Sequence, residues 1–233
     1  MKTDIVSMSL QELTDALSEM GEPRFRAGQI YTWLHKYGVT DFELMTNVSK
    51  LLRFKLSNFF DIYFCAIEKK LVSVYDSTVK YLFRLHDGEY IESVVMKYKY
   101  GYTICVSSQV GCRMGCKFCA STRAGLVRCL APSEILGQIY AAQNDLGIRI
   151  SHIVLMGVGE PMDNFDNVMK FLELVSDENG LNIGMRNISL STCGVVDGIY
   201  KLMEKKLQLT LSVSLHAPND EIRSKTMPVN KRW

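Results

Sequence analysis

From residue 102 onward, strand-like runs alternate with helix-like ones, and this alternation narrows the fold more than any other feature of the sequence. Residues 102–107, 151–156, 187–192 and 207–215 read as strands, and residues 132–144, 164–175 and 196–205 as the helices between them. Repeated strand–helix units with apolar strands predict a parallel sheet with helices packed outside. In such sheets ligands collect at the carboxyl ends of the strands. Chemistry-bearing residues should therefore fall just after each strand.

They do. The first strand runs into Cys112, Cys116 and Cys119 in the stretch GCRMGCKFC. Gly157-Val158-Gly159-Glu160-Pro161 follows the second, Ser191-Thr192-Cys193-Gly194 closes the third, and Ser214-Leu215-His216 closes the fourth. Each alone is weak, because Gly after a strand is usually only a turn. Together they predict one rim of a barrel-like sheet.

The cysteines are spaced C-x3-C-x2-C, so a loop can curl around one inorganic centre, with Gly111 and Gly115 supplying permissive backbone. A cubane [4Fe–4S] cluster takes thiolate ligands, usually four. Three local ligands would leave one iron open to a substrate. Structural zinc wants four ligands, usually in two knuckles. Only one knuckle is present, and His152 and His216 lie in predicted barrel strands. Cys129 is the alternative fourth ligand, and packing of free thiols is the bland reading.

Ahead of the barrel segment, residues 8–18 predict a helix capped by Ser9 with Glu12 as capping-box partner. Residues 24–35 predict a second, with Ile30, Trp33 and Leu34 on the buried face, and residues 47–59 a third. Residues 71–74, 79–85 and 90–96 read as strands, the last two joined by a hairpin at His86-Asp87-Gly88-Glu89. Glu92 stands among Ile91, Val94, Val95 and Met96, a carboxylate in apolar company if buried and a solvent residue if it faces outward. The expected fold is α/β: a helical module over residues 1–60 that docks RNA, a β-hairpin connector over 61–100, and a partial parallel barrel over 101–233.

Composition excludes little by itself. With 22% charged residues and a formal net charge of +2, bulk charge says nothing of nucleic acid. The distribution says more: from Ser93 to Ser133 there is no acidic residue, while Lys97, Lys99, Arg113, Lys117, Arg123 and Arg128 alternate with Tyr98, Tyr100, Tyr102 and Phe118. Basic residues with aromatics suit phosphates and stacked bases, although a solvated basic face would look the same. Seven cysteines, no secretory signal and no membrane-length apolar run predict a reducing cytoplasm and no membrane partner. Four strand–helix units in roughly 130 residues are fewer than a barrel of about 250 residues holds, so the chain reads as a fragment of a longer protein.

At this point the residues resemble a family. GCRMGCKFC looks like the cluster loop of radical S-adenosylmethionine (SAM) enzymes. With CVSSQVGCRMGCKFCAST, MGVGEPMDN, LSTCGVV and SVSLHAPNDEIRS, and with GEPRFRAGQIYTWLHK near the start, the chain is similar to the RlmN family of ribosomal and transfer RNA adenine methyltransferases. The sister Cfr family, which methylates C8, is also similar, but typically lacks a proline where Pro161 follows Gly159-Glu160.

The resemblance implies methyl transfer to C2 of adenosine in large-subunit ribosomal RNA and some tRNAs. It implies a [4Fe–4S] cluster on Cys112, Cys116 and Cys119, and SAM bound by Gly159, Glu160, Ser191, Ser214, Leu215 and His216. An electron donor such as flavodoxin or ferredoxin would act on it. Glu92 would be the proton acceptor. Cys105 would resolve the RNA-bound intermediate through a transient disulfide with a methyl-carrying cysteine near the family's C-terminus. No cysteine follows Cys193, so that last role matches nothing in this sequence, and an inactive cluster-bearing RNA-binding remnant is the competing expectation.

Overall fold

A computed structural model describes residues 2–233. The chain opens with a two-residue strand, β1 (Thr3–Asp4), then the helices α1 (Leu10–Glu19), α2 (Phe25–His35) and α3 (Lys50–Phe59). The α1 capping box forms as the sequence predicts: Ser9 Oγ accepts from the Glu12 N–H while the Glu12 carboxylate accepts from the Ser9 N–H. Leu13 and Leu17 are fully buried. Trp33 departs from expectation. Ala27, Ile30, Tyr31 and Leu34 fill the core face of α2, and Trp33 stays half-exposed with its indole N–H on Asn47. The third helix begins at Lys50, later than expected, because Ser49 is its cap.

After β2 (Phe60–Asp61), which pairs with β1, come β3 (Ala66–Val72), β4 (Val79–Arg84), β5 (Tyr90–Tyr98) and β6 (Gly101–Cys105). A small hairpin follows, β7 (Gln109–Gly111) with β8 (Leu126–Cys129). Then α4 (Pro132–Leu146), β9 (Ile150–Leu155), α5 (Phe165–Ser176), β10 (Ile188–Thr192), α6 (Val196–Glu204), β11 (Thr210–Val213) and α7 (Asp220–Thr226) complete the alternation. Neither the β7–β8 hairpin nor the early start of β3 is visible in the sequence pattern. The expected strand at 71–74 is the far end of β3, with Val74 exposed in the turn beyond it.

Seven strands form one sheet in the order β11-β10-β9-β6-β5-β4-β3. The strands β6, β9, β10 and β11 run parallel, and β3 to β6 antiparallel, so β6 belongs to both halves. The hairpin strands are thus continuous with the parallel ones. One sheet face is apolar and covered: Ile91, Val95, Ile104, Ile153, Leu155, Ile188 and Leu190 are buried. On the other face the register lines up Leu82 with Glu92, Val94 with Cys105, Cys105 with Val154, Val154 with Ser189 and Ser191 with Ser212. These residues are half-buried or exposed, so this face is open.

Polar contacts fasten the N-terminal helices to the sheet's cover. His35 lies buried with Nδ1 3.0 Å from the Tyr140 hydroxyl, and Lys170 on α5 pairs with Glu12 on α1. Glu134, buried in the first turn of α4, accepts from both terminal nitrogens of Arg128 and from the Ala131 N–H, and lies 3.2 Å from His86. That network joins the β4–β5 turn, β8 and α4. Among the described residues no helix is long and apolar enough to cross a membrane.

Candidate functional site

The stretch leaving β6 is polar yet buried. Ser107, Ser108 and Gln109 are each at most 2% exposed. Such groups need partners. Gln138 supplies two, its Oε1 accepting the Ser107 N–H at 2.8 Å and its Nε2 donating to the Ser107 carbonyl at 3.0 Å. Asn164 donates to the Ser108 carbonyl, and Gln109 Oε1 accepts the Glu160 N–H at 2.9 Å. The chain therefore enters the cysteine loop already fixed against the turn that follows β9.

The loop is then closed by β7 and β8. The Cys112 N–H donates to the Gly125 carbonyl at 2.9 Å, and Gly111 and Gly115 both have positive φ, as the curl requires. Arg113 pairs with Asp163, beyond Pro161, which ties the loop's first turn to the segment after β9. At the far end the Lys117 N–H donates to the Thr226 carbonyl of α7, and Phe118 meets His216 edge to face.

A cavity of about 300 Å³ opens at this rim. Cys112, Cys116 and Cys119 line it together with Gly159, Glu160, Ser191, Ser214 and His216, and also Cys193 and Met227. Every strand-end group that the sequence singled out contributes to one wall or another. The Leu215 side chain does not line it and is 64% exposed; its carbonyl instead accepts from Arg223.

Glu160 is 4% exposed, and its carboxylate accepts the Cys193 N–H at 2.7 Å and the Met162 N–H at 3.1 Å. It thereby holds the turn after β10 to the turn after β9. Burial pushes the Cys112 thiol up to about 11, raises Cys116 as well, and with the help of Glu160 raises Cys193 further. As free thiols these groups are protonated; a bound cation would take them as thiolates.

Glu92 and Cys105 lie elsewhere. Their strands place both on the open face that also carries Ser191, but neither lines the cavity. Glu92 is not in apolar surroundings: it faces solvent and pairs with Lys80 at 2.8 Å, because Ile91, Ser93 and Val95 take the covered side of β5. All seven cysteines are free, so the expected disulfide is not formed within this chain. The acid-free window is also divided. Tyr98 and Tyr100, stacked at 5.1 Å, sit at the turn entering β6, whereas the cysteine loop follows its other end. Five residues of strand separate the two ends by roughly 15 Å.

A family model for the N-terminal domain of ribosomal RNA large subunit methyltransferases matches residues 3–62, and the radical SAM superfamily model matches residues 106–233. A protein of Lachnospira eligens named "Probable dual-specificity RNA methyltransferase RlmN" is 52% identical over 99% of this chain and 66% of its own length. One of the same name from Clostridium tetani is 54% identical over 97% of this chain and 64% of its own.

The chain belongs to the RlmN family.

It spans about two thirds of the length of these RlmN relatives. The crystal structure of a radical SAM methyltransferase from Sphaerobacter thermophilus superposes with a TM-score of 0.94 at 38% identity, covering 99% of this chain and 69% of that one. The radical SAM enzymes of the RlmN family use a [4Fe–4S] cluster and SAM.

The residues present fit those groups. Three thiols from one loop line the cavity, and the glycines and hydroxyls opposite leave room for a ligand beside them. The contributions of Gln109, Asp163, Asn164 and Arg223 were not visible in the sequence.

Proposed function

We propose that this chain is the cofactor-holding part of an RNA methyltransferase acting on C2 of adenosine in large-subunit ribosomal RNA and some tRNAs. The observation that carries the reading is the single cavity shared by Cys112, Cys116 and Cys119 with the ends of β9, β10 and β11. In this reading Cys112, Cys116 and Cys119 would hold the cluster through three thiolates and leave it open to SAM. Gly159, Glu160, Ser191, Ser214, Leu215 and His216 shape the SAM pocket, Leu215 through its backbone. When bound, the cluster supplies one electron to SAM, chemistry that belongs to the cofactor.

The open sheet face is where the adenine would lie. Glu92 and Cys105 both belong to it, which supports their roles as proton acceptor and resolving thiol. Lys80 keeps the Glu92 carboxylate paired in the absence of RNA. Burial raises the Cys105 thiol, so it rests protonated. No cysteine follows Cys193 in this sequence, and the reading assigns the methyl-carrying role to none of the seven. Residues 1–60 are the RNA-docking module, 61–100 the connecting hairpins and 101–233 the partial barrel. A flavodoxin- or ferredoxin-type donor in the cytoplasm would supply the electron. The test is methyl incorporation from labelled SAM into ribosomal RNA, with a reductant, by the anaerobically reconstituted chain alone and by the chain extended with the C-terminal third of an RlmN relative that carries the methyl-bearing cysteine. Label at adenosine C2 is expected from the extended protein and none from the chain alone; label at C8, or label from the chain alone, would overturn the assignment.

A narrower expectation concerns Glu160. Glu160→Ala should leave the iron content intact and weaken SAM binding by about tenfold or more, since a buried charged hydrogen-bonding group is lost from the pocket. Equilibrium dialysis with labelled SAM reads this directly. An unchanged affinity would remove Glu160 from the pocket.

A further inference from the structure

Arg223 is the only Lys or Arg that is buried among the described residues, at 8% exposure. Its hydrogen bonds all go to neutral oxygens. Nε donates to the Leu215 carbonyl at 3.2 Å, Nη2 to the Cys193 carbonyl at 2.6 Å and the Ser214 carbonyl at 3.3 Å, and Nη1 to Asn230 Oδ1. A buried cation without an ionised partner is costly, so its place in the fold calls for a reason.

Two observations supply one. First, the planar fork reaches the turn after β10 and the turn after β11 at once, and no flexible ammonium can span two carbonyl sets in that way. The peptide groups flanking Cys193 are gripped from both sides: Glu160 accepts its N–H and Arg223 donates to its carbonyl. Second, the charge stands at the cavity wall. Arg223 Nη2 lies 2.6 Å from the carbonyl of Cys193, which lines the cavity together with Cys112, Cys116 and Cys119. The helix that carries Arg223 is itself tied to the loop through Lys117 and Thr226.

We propose that Arg223 is a positioning residue for the cofactor cavity: it holds the two SAM-facing turns at a fixed separation, and its uncompensated charge favours the reduced state of a cluster on Cys112, Cys116 and Cys119. The proposal rests on the reading that cluster and SAM share this cavity. Three thiolates around a [4Fe–4S]²⁺ core carry a net charge of −1. One electron from the reductant makes it −2, and a fixed positive charge nearby stabilises the second state more than the first.

Wild-type chain, Arg223→Lys and Arg223→Gln, each reconstituted anaerobically, separate the two effects. The readouts are iron content, thermal midpoint, SAM dissociation constant, and the cluster's midpoint potential from a dithionite titration followed by electron paramagnetic resonance. Arg223→Gln should shift the potential negative and weaken SAM about tenfold. Arg223→Lys should keep the wild-type potential, because the charge is kept, and still weaken SAM about tenfold, because the fork is lost. A wild-type potential in Arg223→Gln overturns the electrostatic role, and wild-type SAM affinity in Arg223→Lys overturns the tie. Should Arg223→Gln fail to fold, a potential moved negative in a folded Arg223→Lys would overturn the electrostatic role by itself. Wild-type chain that takes up the cluster but no SAM would overturn the underlying reading, and that result appears before any variant is compared.

Discussion

Alanine at Cys112, Cys116 or Cys119 should reduce the iron of the reconstituted chain from about four atoms to near none. Each substitution removes one of only three thiolates that line the cavity, and two cannot hold a cubane against loss to solvent. Cys129→Ala and Cys193→Ala are the controls. Cys129 is turned toward Gln109 and the Asp163 carbonyl and does not line the cavity. Cys193 is the sharper control because it does line the cavity. It stands on the turn after β10, outside the loop that carries the other three, with its N–H held by Glu160 and its carbonyl by Arg223. Iron counting and the visible absorbance of the cluster decide the matter. Loss of iron in Cys193→Ala would mean four protein ligands, leaving no iron open for SAM, and the proposed function would fall with it.

Gly111→Ala should be the most damaging single-methyl change near the site. Gly111 has φ +73°, and a Cβ there would lie 1.9 Å from the Gly125 carbonyl oxygen. That oxygen cannot retreat freely, since it accepts the Cys112 N–H. Left-handed backbone and a forced separation of β7 from β8 together should cost about 3–5 kcal/mol. The cysteine loop would lose its closing hairpin, so cluster uptake should fall along with stability. Gly21→Ala isolates the first contribution. Gly21 has φ +77° with nothing within 4 Å of its would-be Cβ, so about 1–2 kcal/mol is expected there. Denaturant unfolding of both variants gives the comparison. Equal losses would show that the approach of Gly111 to Gly125 does not matter.

What the sequence disclosed was what depends on neighbours in the chain. Ser9 and Glu12 cap α1 because a capping box is complete within four consecutive residues, and the strand–helix alternation after residue 102 fixes its own register of rim residues. What it concealed depends on partners far along the chain. Glu92 stands close to Ile91, Val94 and Val95 in sequence, yet alternation turns Ile91, Ser93 and Val95 inward and Glu92 out toward Lys80. Trp33 looked like core, but α2 already fills its buried face with Ile30, Tyr31 and Leu34. The acid-free window reads as one surface along the chain, and β6 carries its two halves to opposite ends of the sheet. Gln109, Asp163 and Arg223 each act across 30 residues or more, through contacts that no local pattern announces.

The bond from the Lys117 N–H to the Thr226 carbonyl joins residues more than a hundred positions apart. As the chain emerges from a ribosome, the N-terminal helices and the β3–β6 meander can assemble from nearby segments, since local contacts form early. The cysteine loop cannot. Its first turn waits for Asp163 to meet Arg113, the turn after β10 waits for Arg223, and its last turn waits for α7. Synthesis past residue 226 therefore precedes the moment at which the three thiols line one cavity, and metal loading follows the assembly of the scaffold that must shield it.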